Sequence, residues 1–136
     1  MLKLHKFMRE ISSIYGTIKE IDGILHLEYK SENIDITIAK KLVEDRLEFT
    51  NHTISYLFFD GSVIKSIDKQ TRDFFGSKAG THLVGGMAIY SNSKLSTFLA
   101  NFLVKVNLLK YNFPIKIFND KSEAIKWIKN IKCLNE

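Results

Sequence analysis

The sequence predicts an α/β fold, a single-domain sandwich on a mixed, mostly parallel five-stranded sheet with an N-terminal β-hairpin and about four helices. Three observations predict it. Two β-rich runs flank Asp22-Gly23, two later apolar runs at 54–59 and 84–90 lack polar alternation, and stretches with helical spacing separate the strands. Strands joined through helices need right-handed crossovers and so become parallel neighbours, whereas a hairpin supplies an antiparallel pair.

Residues 1–14 read as an N-terminal extension and 15–136 as the domain. Within YGTIKEIDGILHLEYK, residues 15–30, Asp22-Gly23 offers the positive φ values of a type I′ turn, which makes the stretch a hairpin. In ITIAKKLVEDRLEFT, the residues Ile38, Leu42, Val43 and Leu47 fall near one side at helical spacing, with Thr37 able to cap the first amides. The run 54–59 shows no alternation, as a parallel strand covered by helices on both faces should. A second helix follows over 68–77, DKQTRDFFGS, with Asp68 as N-cap and Phe74 and Phe75 turned inward.

The next strand, VGGMAIY, holds Gly85-Gly86, which weakens a strand unless something approaches its backbone closely. Phe74 and Phe102 are the candidates to pack there, against the alternative of open space beside the sheet. Residues 93–109 form the strongest helical pattern, with Leu95, Phe98, Leu99, Phe102, Leu103 and Val106 on one apolar face. A strand at 114–118 tolerates Pro114 at its first position. Asp120 or Ser122 then starts a last helix that buries Ala124, Ile125, Ile128 and part of Trp127.

Composition narrows the function. At 136 residues with 45% hydrophobic and 26% charged residues, the chain can bury one core and is far from a disordered composition. The single cysteine, Cys133, forbids an intrachain disulfide, which fits a reducing cytoplasm. Lys3, His5 and Lys6 interrupt any apolar signal segment, and no apolar run approaches the length of a membrane span. A net charge of +5 raises the question of nucleic acid, but the lysines are scattered and arginines are few, so a solvated surface is the expectation and no nucleic acid is read as a partner. His5, His26, His52 and His82 lack ligand spacing, so no metal is expected. There is no GxSxG elbow, and the glycines at 76, 80, 85 and 86 precede a strand rather than follow one as phosphate-cradling glycines do. The expectation is no catalytic residue and no cofactor.

The remaining candidate is the junction YLFFDGSVIKSIDKQTRDFFG, where an apolar strand runs through a polar loop into a helix start. Together with the element order it resembles the STAS-like domains related to bacterial anti-anti-sigma factors. Ile67-Asp68 match that family's Ile-Asp, while Lys69 stands where the family carries its phosphorylatable serine. An uncharacterised bacterial branch is more similar still, over roughly residues 15–131: Asp22-Gly23, Arg46, the loop 60–68, Arg72, Asn101-Phe102, Phe113-Pro114, Phe118, and Ala124 with Trp127 carry that resemblance.

The resemblance implies a non-enzymatic, cytoplasmic interaction or regulatory module that docks a protein partner. The docking residues are then Asp60, Ser62, Lys65, Ser66, Asp68, Lys69 and Arg72. The free amides of a helix start would receive an acidic group, with Lys65 and Lys69 reinforcing that preference, and phosphorylation of Ser66 would switch it. The alternative is a carrier of a small apolar ligand, fatty acyl or lipid-like, in a cavity under helix 93–109. The wide apolar face of that helix also predicts a homodimer.

Overall fold

The computed structural model describes residues 8–94, 97, 101 and 113–136. Its main sheet has six strands in the order β1-β2-β3-β5-β7-β8. These are β1 (Met8–Ser12), β2 (Gly16–Ile21), β3 (Ile24–Tyr29), β5 (Ser55–Asp60), β7 (Val84–Tyr90) and β8 (Ile115–Phe118). The helices with described bounds are α1 (Ile36–Phe49), α2 (Lys69–Phe75) and α3 (Lys121–Leu134). β1, β2 and β3 pair antiparallel, and β3, β5, β7 and β8 pair parallel. The α/β architecture is the one expected, with one strand more than five. That strand comes from the segment assigned to an N-terminal extension, since residues 8–12 pair with β2 from Met8↔Ile21 to Ser12↔Thr17.

The hairpin turns where expected: Asp22 and Gly23 sit at φ 52 and 82, the two positive values of a type I′ turn. β5 lies inside the sheet, bonded to β3 on one side and β7 on the other. Because side chains alternate across a strand, β5 serves two cores. Leu57 and Phe59 face α1 and α2, and Phe58 faces α3. The first face buries Tyr29, Ile34, Ala39, Leu42, Phe59, Ile64, Ile67 and Ile89, with Phe74 and Phe75 packed against them. The opposite face buries Ile24, Phe58, Ala88, Ala124 and Ile128.

Several local expectations shift. The α1 cap is Asp35, whose side chain accepts the Ile38 amide, not Thr37. The face it buries is Ala39, Leu42 and Arg46, rotated from the one centred on Ile38 and Leu47. The apolar run begins one residue late as a strand, leaving Ile54 62% exposed. Gly85-Gly86 does admit a close neighbour, but it is Tyr56 and α3 rather than Phe74 or Phe102. A Cβ on Gly85 would stand 2.7 Å from the Tyr56 ring, and one on Gly86 would stand 3.1 Å from Ile131 and 3.2 Å from Ile128. The helix expected over 93–109 lies mostly outside the described residues, and with it Leu95, Phe98, Leu99, Phe102, Leu103 and Val106.

Candidate functional site

β5 ends at the rim of the sheet, and its last residue organises the loop that follows. Asp60 Oδ1 accepts the Ser62 amide at 3.0 Å and the Ser62 hydroxyl at 2.6 Å, while Oδ2 faces Lys121 of α3 at 3.3 Å. Partial burial alone would raise the Asp60 pKa, but the Ser62 hydrogen bonds and the Lys121 charge outweigh it and hold the carboxylate below its usual range. The Gly61 amide donates to the Tyr90 carbonyl at 2.9 Å, which ties the loop to the end of β7.

The far side of the loop is tied to the segment before α1. Ser66–Ile67 forms β6, a two-residue parallel ladder with β4, Asn33–Ile34. The Lys65 and Ser66 amides both donate to the Glu32 carbonyl, at 2.7 and 3.1 Å, and the Ser66 hydroxyl donates to Asn33 Oδ1 at 2.6 Å. Ile64 and Ile67 anchor the loop in the core, leaving Val63, Lys65, Ser66 and Asp68 exposed.

Asp68 caps α2 as expected, accepting the Thr71 amide at 2.8 Å, and the Thr71 side chain and amide together lower its pKa. Lys69 pairs with Asp73 at 2.9 Å, Lys65 with Glu32 at 3.3 Å, and Arg72 donates to the Ile67 carbonyl at 2.6 Å. The seven candidate residues thus share one stretch of rim, in three small groups: Asp60 with Ser62, Lys65 with Ser66, and Asp68 with Lys69 and Arg72. The surface is of mixed charge, because both lysines that could have made it cationic face an acidic neighbour. Among the described residues no group of three His, Cys, Asp or Glu side chains could hold a metal, and no helix is long and apolar enough to cross a membrane.

A second feature escaped the sequence. Between the sheet and helices α1 and α2 lies a cavity of about 60 Å³, lined among others by Leu42, Val43, Leu57, Phe59, Phe75 and Met87. Arg46 lines it too, only 3% exposed, and its Nη1 and Nη2 have no hydrogen-bond partner among the described residues. Burial pulls the guanidinium pKa down to about 10, although the Tyr29 phenol works the other way, so the group is still charged at neutral pH. Burial pushes the Tyr29 phenol up and keeps it protonated, hence without a counter-charge. The signal was the spacing Ala39, Leu42, Arg46, which puts the arginine on the apolar stripe at i, i+3 and i+7.

The fold has a solved counterpart. The crystal structure of an uncharacterized protein from the DUF3478 family of Shewanella loihica PV-4, described as having a SpoIIAA-like fold, superposes with a TM-score of 0.56. It covers 90% of this chain and 92% of its own at 13% identity, a likeness of fold alone. This is the STAS-like architecture that the strand-to-helix junction resembles. No curated protein matches the chain. Residues 17–132 match the model of the domain of unknown function DUF7793, and the chain belongs to that family.

Proposed function

We propose that the protein is a non-enzymatic interaction module of the cytoplasm that docks a protein partner through the rim 60–68 and α2. The observation that carries this reading is that the loop is both fixed and accessible. Hydrogen bonds from Ser62, Gly61, Lys65 and Ser66 hold its backbone, while Val63, Lys65, Ser66 and Lys69 point to solvent. A preorganised surface loses less conformational entropy on association. Its pairs Lys65–Glu32 and Lys69–Asp73 suit a partner face of mixed charge around an apolar contact for Val63. A phosphate on Ser66 would break the bond to Asn33 and change that charge pattern.

The test is affinity. A partner captured from native cytoplasm is purified, and its binding to wild type is compared with Ser66→Ala, Val63→Asp and Lys69→Glu. Val63→Asp and Lys69→Glu should each weaken binding about tenfold or more; unchanged affinity in all three rejects the rim as the docking face. The homodimer belongs to the same proposal, and sedimentation that finds only a 15.7 kDa species removes it.

The cavity favours a second reading, a carrier of a small apolar ligand. Its position against α1 and α2 and its volume of about 60 Å³ suit a ligand well below fatty-acyl size. Native mass spectrometry of freshly purified protein checks it, since a retained mass supports the carrier.

A further inference from the structure

The carrier reading leaves open what kind of ligand the cavity takes, and the following rests on that reading. Most of the lining is apolar: Leu42, Val43, Leu57, Phe59 and Met87 offer nothing to a polar ligand. Against that background Arg46 stands out. A buried cation is ordinarily paired or fully hydrogen-bonded, because an uncompensated charge in a low-dielectric interior is costly. Here both terminal nitrogens lack a partner among the described residues. Glu28 also lines the cavity, but its side chain is exposed and alternates to the face of β3 opposite Tyr29, so it is not the counter-ion.

We infer that the cavity is a binding site for a short-chain monocarboxylate, whose carboxylate is received by the Arg46 guanidinium and whose alkyl tail lies among Leu42, Leu57 and Phe59. The guanidinium presents parallel N–H donors in the fork that matches a carboxylate, which satisfies both orphaned nitrogens with one group. A monoanion balances the single buried charge, whereas a phosphate dianion would leave one negative charge uncompensated in an apolar wall. The size of the cavity sets the tail. It is smaller than the roughly 150 Å³ cavity that admits benzene, which limits the occupant to about two to four carbons.

The probes are sodium propionate, its neutral isostere propionamide, and xenon as a purely apolar occupant, each titrated into the full chain and followed by backbone amide shifts. Propionate should saturate, with shifts confined to the elements that line the cavity, and propionamide should bind about tenfold more weakly or worse. Arg46→Met should abolish that discrimination while keeping the xenon response, and Arg46→Lys, which keeps the charge but not the fork, should recover part of the propionate affinity. Equal binding of propionate and propionamide by wild type overturns the carboxylate assignment. Xenon without propionate also overturns it, yet leaves an apolar carrier standing. No response to any of the three removes the carrier reading together with the inference.

Discussion

Replacing Arg46 by methionine should stabilise the ligand-free protein, against the usual direction of a core substitution. Burial pulls the guanidinium pKa from its ordinary value down to about 10 on folding. At about 1.4 kcal/mol for each tenfold change in the proton equilibrium, the charged form is disfavoured in the folded state by roughly 3 kcal/mol. The sign follows from which state holds the proton more tightly. The unfolded chain does, so the whole penalty is present at every pH below about 10 and is relieved only as pH rises from there toward the ordinary guanidinium range. Neutral-pH measurements therefore see all of it. Methionine keeps an unbranched apolar stem of similar length and carries no charge. Allowing for imperfect refilling of the guanidinium volume, the gain should be about 1–3 kcal/mol. Urea titration followed by circular dichroism at pH 7 reads this as a higher midpoint at unchanged slope. Thermal unfolding should move up by about 4 °C per kcal/mol for a chain of this size. Arg46→Met unfolding at lower urea than wild type, by more than about 1 kcal/mol, would mean that the guanidinium is well satisfied in solution and that the burial argument is wrong. Added propionate supplies a second comparison, since it should raise the wild-type midpoint and leave that of the methionine variant where it is.

Three further outcomes follow from packing and charge. Ile128→Ala removes a fully buried side chain from between α3 and the sheet and should cost about 2–5 kcal/mol by chemical denaturation. A loss below 1 kcal/mol would place α3 loosely on that face. Gly80→Ala brings a Cβ to 2.2 Å from the Phe74 carbonyl, a backbone atom that cannot swing away, so α2 must shift and stability should fall by about 1–3 kcal/mol. His26 packs on Phe58, and burial first, then Lys19 and Lys129, lower its pKa, with Asp22 opposing them. The unfolded chain thus binds the proton more readily, and stability should fall as pH drops below 6.5. His26→Gln should flatten the unfolding midpoint between pH 5 and 7, and an equally steep profile in the variant would assign the dependence to other groups.

Strands could be read because their signals were strong and local. Val84–Tyr90 is a strand to the residue, and Asp22-Gly23 turns the hairpin because few other dipeptides accept two positive φ values. Helix caps were less legible. Asp35 and Thr37 both carry an oxygen that can take a first-turn amide, and only the entry angle of the chain selects between them. β1 was missed because Met-Arg-Glu-Ile-Ser has too many charges to look buried, and it is an edge strand where such residues face water. The β4–β6 ladder is two residues long and leaves no period to detect. In the candidate site, Asp60, Ser62 and Asp68 took up the local hydrogen bonds that such residues favour beside a strand end and a helix start. Neither the pairing of Lys65 with Glu32 nor the burial of Arg46 was read from the sequence, because the first depends on the β4–β6 ladder and the second on how α1 is set against the sheet. A lone arginine in a helix is normally solvated, and that expectation outweighs the stripe it shares with Ala39 and Leu42.

The division of the sheet into an antiparallel and a parallel half has a kinetic consequence. β1, β2 and β3 meet through turns of a few residues, so their pairing closes quickly, as hairpins do. Each junction in the other half needs a crossover, from Tyr29 to Ser55, from Asp60 to Val84 and from Tyr90 to Ile115, and none can be stabilised until the intervening chain has been gathered in. Refolding should therefore pass over a barrier set by the C-terminal strands, with the N-terminal meander serving as the template on which β5 and its successors zip up.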